Sequence, residues 1–207
     1  MEAIALNTKP GFYNGLINNR YKNLTIPNFI TYLTLSFALG GIYLLLSSNF
    51  LLGALLAWTI CDIFDTLDGY VAKKFKMFSP LGADLDSLID VIAFLIPPFL
   101  IALHLGNNLL LILAFFFVFT GIFRLARFNV ETSPKGVVVG LQASLAAHLI
   151  CFSLLIHVPA SSLPAIFLIL SLLMISPIKT KAAYSLYLTT FLITINILII
   201  ALNLLYL

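Results

Sequence analysis

Seven long apolar segments run through this chain of 207 residues and leave little room for any fold other than a bundle of membrane helices. About 20 consecutive apolar residues are needed to cross the hydrocarbon layer of a bilayer as a helix. Hydrophobic residues make up 61% of the sequence and charged residues 9%, against roughly a quarter charged in a soluble domain. The sequence therefore predicts an all-α polytopic membrane protein, with segments over approximately 27–47, 50–74, 82–104, 107–128, 137–157, 160–178 and 184–206.

The stretch ahead of the first segment has a different composition. Residues 9–24 combine aromatic and aliphatic side chains with Lys9, Arg20 and Lys22, which is typical of a short amphipathic piece lying on a membrane surface. A plain flexible tail is the alternative. We therefore expect two parts, a cytoplasmic or interfacial N-terminal segment over 1–26 and a transmembrane domain over 27–207.

The basic residues predict how the segments are oriented. Cytoplasmic loops of membrane proteins carry an excess of Lys and Arg. With the N-terminus inside and seven spans, all eleven basic residues fall on the cytoplasmic side, in four groups: Lys9, Arg20 and Lys22; Lys73, Lys74 and Lys76; Arg124, Arg127 and Lys135; Lys179 and Lys181. We expect a multi-pass protein with this orientation in a prokaryotic cell membrane.

Six of the eight acidic residues lie within residues 62–90, at the inner ends of the second and third segments. Asp65 and Asp68 are three residues apart, and Asp86 and Asp90 are four apart. Both spacings place the two carboxylates of a pair on one face of a helix. The two helices are antiparallel neighbours joined by a short loop, so we expect all four carboxylates to meet.

Such a cluster needs compensation, because carboxylates near hydrocarbon repel one another and lose hydration. Oxygen ligands favour hard divalent cations such as Mg²⁺, Mn²⁺ or Ca²⁺ over zinc. Four carboxylates around one pocket can hold two ions, the arrangement used in phosphoryl transfer. Ser79 and Pro80 predict the N-terminus of the third helix, which favours anions. We expect Asp84 to be solvated, and Asp62 either to touch substrate or to hydrogen-bond a neighbour.

Residues 65–90 resemble the signature of the CDP-alcohol phosphatidyltransferase family, D-x2-D-G-x2-A-R, eight residues, then G-x3-D-x3-D. Lys73 stands where the family usually has Arg, and lysine keeps the charge without the two-pronged hydrogen bonding. I-P-N-F-I-T at 26–31 is similar to the family's P-N-x-x-T sequence. F-R-L-A-R-F-N at 123–129 and L-D-S-L-I-D at 85–90 are similar to its phosphatidylserine synthase branch. The other fixed positions of the signature all match: Asp65, Asp68, Gly69, Ala72, Gly82, Asp86 and Asp90.

The resemblance implies transfer of a phosphatidyl group from a CDP-lipid to an alcohol, with release of CMP, on a six-helix family core that here has about seven spans. Asp90 would be the general base that takes the proton from the incoming hydroxyl. Two ions, Mg²⁺ or Mn²⁺, would be held by Asp65, Asp68, Asp86 and Asp90. The CDP-lipid would be contacted by Asn28, Thr31, Asp62, Gly69, Ala72, Lys73, Ser79 and Gly82.

The acceptor alcohol is small and polar, and the resemblance favours L-serine. Arg124 and Arg127 are three residues apart and suit an amino-acid carboxylate, with Asn129 and Lys135 as further members of the same predicted site. Anchoring at the membrane surface is the alternative for the two arginines. Glycerol phosphate and inositol phosphate remain open as acceptors, and CDP-archaeol remains open beside CDP-diacylglycerol as the donor.

A cation channel or secondary transporter is the alternative from a different class of protein. Transporters commonly bind their substrates near the bilayer midplane, in broken helices or related halves, whereas the charges here lie at one end of the spans. His148 is either a hydrogen-bonded structural histidine or a proton relay. Gly40 and Gly41 favour close helix approach, as at a contact between two copies of the chain. As partners we expect membrane lipid and a second copy of the chain, and no nucleic acid.

Overall fold

The computed structural model describes residues 25–48, 50–77, 79–130 and 137–205. The described helices are α1 (Ile26–Ser48), α2 (Leu51–Phe75), α3 (Pro80–Asp90), α4 (Ile96–His104), α5 (Asn108–Val130), α6 (Ala143–Leu155), α7 (Leu163–Ile175) and α8 (Ala182–Leu205). A π-helical turn, Val91–Leu95, joins α3 to α4, a 3-10 turn, Ala160–Ser162, precedes α7, and two short strands are β1 (Val137–Val139) and β2 (Lys179–Lys181). The predicted surface segment before residue 25 and the predicted site residue Lys135 lie outside the described residues.

The predicted all-α membrane architecture is confirmed, and each predicted segment contains a helix. Four described helices are long and apolar enough to cross a bilayer, namely Ile26–Ser48, Leu81–His104, Asn108–Val130 and Ala183–Leu205. Helix α2 has 25 residues and is also long enough, but its C-terminal half carries the clustered acids and two lysines. Helices α6 and α7 have 13 residues each, roughly 20 Å, and are shorter than the hydrocarbon layer.

The start of the fifth predicted segment was wrong. Instead of helix, Val137–Val139 forms a strand that pairs antiparallel with Lys179–Lys181. Three consecutive valines favour extended backbone because their β-branched side chains restrict χ1. Gly140 follows at φ +73°, a conformation that glycine adopts without strain, and it turns the chain toward α6. The strand pair therefore ties the start of α6 to the start of α8.

Helices α3 and α4 and the π turn between them form one continuous rod from Pro80 to His104. The rod has an N-cap at its start and a wider turn after Asp90. The backbone N–H of Gly82 donates to the hydroxyl of Ser79 over 2.9 Å, which confirms the predicted N-cap. Beyond Asp90 the backbone forms the π turn, in which the N–H of Ile96 bonds to the carbonyl of Val91. Pro97 and Pro98 follow at once, and their lack of N–H groups removes two helical hydrogen bonds.

Helix α2 is fixed against α1 by close packing and by hydrogen bonds to the α1 backbone. The indole N–H of Trp58 donates to the carbonyl of Ala38 over 3.1 Å, and the thiol of Cys61 lies 3.2 Å from the carbonyl of Thr34. A side chain at Gly41 would collide with the Trp58 ring. Gly41 therefore allows the close helix approach that was expected, and its partner is α2 of the same chain.

Candidate metal and substrate site

Three of the four predicted metal ligands converge at the junction of α2 and α3. Asp65, Asp68 and Asp86 each offer a carboxylate oxygen, and these three atoms lie within 4.8 Å of one another. The helical spacing and the antiparallel arrangement of α2 and α3 produce this convergence, as the sequence predicted. Three anionic groups this close are compatible with one another when a cation lies among them.

Asp90 lies one turn further along the same rod and is not part of that group of three. Its carboxyl group is beside that of Asp65, within hydrogen-bonding range. Its Oδ1 atom is buried and has no hydrogen-bond partner in the described part of the chain. An oxygen left without a partner beside three converging carboxylates fits a set of hard, all-oxygen ligands for divalent cations. The residues present therefore fit a metal centre.

Helix α1 also contributes to the cluster. The hydroxyl of Thr31 donates to Oδ2 of Asp68 over 2.6 Å, and both side chains are buried. One turn before it, Asn28 is 3% exposed and accepts a hydrogen bond from Thr25 over 3.2 Å. A Cβ atom at Gly82 would lie 2.8 Å from the Asn28 side-chain oxygen, so the absence of a side chain lets α1 approach α3. The P-N-x-x-T sequence thus faces the first turn of α3.

An open cleft of about 180 Å³ lies beside these carboxylates. Among the described residues, a Cβ atom at Gly69 would have no neighbour within 4 Å, so the space next to it is open. Lys73 is exposed and does not line the cleft. Most of the residues predicted to contact the CDP-lipid do line it, together with two of the metal ligands: Asn28, Thr31, Asp68, Gly69, Ala72, Ser79, Gly82 and Asp86.

Asp62 lies apart from the cleft, although it was included among the predicted CDP-lipid contacts. Its side chain is 1% exposed, and its Oδ2 atom is 2.7 Å from Nε2 of His148 on α6. Of the two roles open for Asp62, the structure contains the hydrogen bond to a neighbour. The other ring nitrogen of His148 lies 3.3 Å from the amide nitrogen of Asn196 on α8.

The two predicted acceptor-binding arginines have different surroundings. Arg124 is buried, its Nε has no hydrogen-bond partner among the described residues, and its guanidinium lies within electrostatic reach of Asp90. Arg127 instead donates to backbone carbonyls at the C-terminal end of α7 and to that of Val139 on β1. A cation is stabilised at a helix C-terminus, where carbonyls lack helical partners. Asn129 is exposed and exchanges hydrogen bonds with Ser87.

Comparison with known proteins identifies the family of the chain. The family model for CDP-alcohol phosphatidyltransferases matches residues 24–206. The chain belongs to the CDP-alcohol phosphatidyltransferase family. Among curated proteins it is similar to a CDP-diacylglycerol–serine O-phosphatidyltransferase of Methanocaldococcus jannaschii, with 38% identity over 76% of this chain and 74% of that protein.

Two further relatives of this phosphatidyltransferase carry related names. A CDP-diacylglycerol–serine O-phosphatidyltransferase of Helicobacter pylori is 33% identical over 63% of this chain, and the match covers 57% of that protein. An archaetidylserine synthase of Methanothermobacter thermautotrophicus is 30% identical over 75% of this chain and 69% of that protein. The similarity therefore includes relatives named for a diacylglycerol donor and one named for an archaeal lipid.

Several residues of this candidate site were not predicted from the sequence. Pro27, Met77 and Ala83 line the cleft, and Ser87 holds Asn129. Ser87 is one residue after Asp86, so its place on the same helix was a usable signal. Met77 offers no comparable signal, because it reaches the cleft only through the bend after α2.

Proposed function

We propose that this chain transfers a phosphatidyl or archaetidyl group from a CDP-lipid to the hydroxyl of L-serine and releases CMP. The observation that carries the proposal is the convergence of Asp65, Asp68 and Asp86 beside a cleft that Asn28 and Thr31 also line. This arrangement belongs to a chain whose family is established and whose named relatives transfer to serine.

The CDP part of the donor is proposed to occupy the cleft. Gly69 leaves room for it, and the N-terminus of α3, capped by Ser79, favours its phosphates. Asp65, Asp68, Asp86 and Asp90 would hold two divalent cations, Mg²⁺ or Mn²⁺. When bound, these cations would neutralise charge on the pyrophosphate as it separates. Lys73, which stands where the family usually has Arg, is exposed and would add positive charge outside the lining of the cleft.

Asp90 is the proposed general base. It takes the proton of the serine hydroxyl while that oxygen forms a bond to the phosphorus attached to the lipid. The bond between this phosphorus and the bridging oxygen breaks, and the oxygen leaves with CMP. The buried and unpartnered Oδ1 of Asp90 supports this assignment, because the atom has no competing donor in the described residues.

Arg124 is the proposed partner of the serine carboxylate. Its guanidinium is buried near Asp90, and a charge-assisted hydrogen bond to a carboxylate would place the serine hydroxyl beside the base. Asn129, held by Ser87, and Lys135 complete the acceptor site in this proposal. Arg127 differs from Arg124, because its hydrogen bonds go to backbone carbonyls of α7 and β1.

The proposal places this site on the cytoplasmic side of a prokaryotic cell membrane. The positive-inside distribution supports it, since β2 carries Lys179 and Lys181 and lies at the same end of the bundle as Arg127. Homodimer formation stays a prediction. Of the two glycines that suggested a dimer contact, Gly41 packs against Trp58 within the chain.

Release of CMP by the purified protein in detergent tests the reaction. We expect release to need a divalent cation and serine, with CDP-diacylglycerol and CDP-archaeol compared as donors. Glycerol 3-phosphate and inositol phosphate are the competing acceptors. Asp86→Asn should abolish release, and Asp84→Asn is the matched control, because Asp84 is exposed and outside the carboxylate group. Equal release with a phosphorylated acceptor would overturn the assignment of serine.

A further inference from the structure

A buried polar network lies directly beneath the carboxylate cluster, and the proposed reaction leaves it unused. It joins Asp62 on α2, His148 on α6 and Asn196 on α8, which are 1%, 4% and 0% exposed. Nε2 of His148 is 2.7 Å from Oδ2 of Asp62. Buried ionisable groups in a membrane helix bundle are costly, and they are commonly found at functional sites.

The contacts of the network place one neighbour on each ring nitrogen of His148. An ionised carboxylate only accepts, so with Asp62 ionised Nε2 carries the hydrogen of that contact. The amide nitrogen of Asn196 lies 3.3 Å from Nδ1 and donates to it in the neutral tautomer. The ring is thus held between α2 and α8 by one contact on each side.

Asp62 and Asp65 are three residues apart on α2 and lie on one face of that helix, roughly 4.5 Å apart along its axis. A rotation of α2 that breaks the bond between Asp62 and His148 also turns Asp65 and Asp68 together away from Asp86 on α3. The neighbouring face of α2 is held by Trp58 and by Cys61 against α1. His148 supplies the corresponding restraint toward α6 and α8.

We propose that His148 is a positioning residue of the metal centre, acting through Asp62 to fix the rotation of α2 and with it the direction of the Asp65 carboxylate. Asn196 holds the ring in the tautomer that this contact requires. The inference rests on the proposed function, because it concerns the metal centre assigned there. Groups that orient metal ligands typically change metal affinity or activity about 10–100-fold when they are removed.

Binding of Mn²⁺ to the purified protein without lipid substrate, followed by electron paramagnetic resonance of the free ion, tests this inference. His148→Leu removes the hydrogen-bond donor, and we expect it to weaken Mn²⁺ binding about tenfold or more. His148→Gln keeps an N–H group toward Asp62 and should remain within about threefold of the unsubstituted protein. Ser153→Ala is the control, since among the described residues it removes a buried hydrogen bond of α6 that stays within its own helix, and it should leave Mn²⁺ affinity unchanged.

A second pair of variants keeps the inference testable if His148→Leu does not fold. Asp62→Asn retains an acceptor for His148 and should bind Mn²⁺ nearly normally, whereas Asp62→Ala should bind it about tenfold more weakly. Unchanged Mn²⁺ affinity in both His148→Leu and Asp62→Ala would show that the network only stabilises the bundle. Absence of Mn²⁺ binding by the unsubstituted protein would instead remove the proposed metal centre itself, so the two failures are distinct.

Discussion

The hydroxyl of Thr31 donates to Oδ2 of Asp68 over 2.6 Å, and this bond makes the first helix part of a carboxylate cluster that otherwise belongs to the second and third. The cluster is thereby oriented from a helix that supplies none of its acids. A hydrogen bond of this kind sets which oxygen of the carboxylate remains available to a cation.

Replacing Thr31 should therefore weaken metal binding without unfolding the protein. We expect Thr31→Val to raise the Mn²⁺ concentration needed for half-maximal CMP release about tenfold, and Thr31→Ser to keep it near normal. Thr34→Val is the matched control. Thr34 is one turn further along α1 and is also buried. In the described structure its hydroxyl donates only to the backbone of its own helix. Equal metal dependence of Thr31→Val and Thr34→Val would contradict the role given to Thr31.

Asp90→Asn should separate chemistry from binding. An amide cannot take the proton of the acceptor hydroxyl, so turnover should fall by at least about 10²-fold, the usual contribution of a general base. CDP-lipid binding should be retained, because the cleft is lined by other side chains. Single-turnover CMP release and binding of a labelled CDP-lipid measure the two effects. A variant with full turnover would defeat the assignment of Asp90 as base.

Arg124 and Arg127 should respond differently to the same substitution. Hydrogen bonds to charged groups contribute roughly 1.5–3 kcal/mol, so Arg124→Gln should raise the KM for serine at least about tenfold. The KM for the CDP-lipid should change little. Steady-state kinetics with each substrate varied in turn provide the measurement. A normal KM for serine would remove Arg124 from the acceptor site.

Arg127→Gln should instead lower thermal stability. Its guanidinium holds the carbonyls of Met174, Ile175 and Ser176 together with that of Val139. Buried polar groups that lose their partners cost roughly 1–3 kcal/mol each. We expect a lower melting temperature in detergent with a normal KM for serine. A raised KM with unchanged stability would return Arg127 to the acceptor site.

Gly69 offers a substitution that should stabilise the fold while impairing binding. Alanine in a helix is favoured over glycine by up to about 1 kcal/mol, and a Cβ atom at Gly69 meets no neighbour in the described part of the chain. The added methyl group projects into open space beside the cleft. We expect Gly69→Ala to have an equal or higher melting temperature and a higher KM for the CDP-lipid. A lower melting temperature with a normal KM would contradict the placement of the cleft.

The carboxylate cluster was predictable because the residues that determine it lie close together in the sequence. Asp65 and Asp68 share one helix face by spacing alone, and a short loop forces the next helix, with Asp86, to return alongside. The cap at Ser79 was predictable for the same reason, since a serine before a proline is a local signal for the start of a helix.

Features that depend on distant parts of the chain were not predictable in this way. The strand at 137–139 exists because it pairs with residues 179–181, some forty positions later, and no local pattern of the sequence links the two. The carbonyls that surround Arg127 come largely from the far end of α7. A structural hydrogen bond was one of the two roles predicted for His148, but its partner Asp62 is 86 positions away and could not be named.

The π turn at Val91–Leu95 separates two parts of the rod that face different neighbouring helices. One extra residue per turn changes the angular position of everything that follows by about 100° relative to an unbroken α-helix. Ahead of it, α3 presents Asp86 to α2, and at its end Leu95 packs where Gly121 of α5 has no side chain. The turn therefore sets the angle between the face of the rod that carries Asp86 and the face that packs against α5.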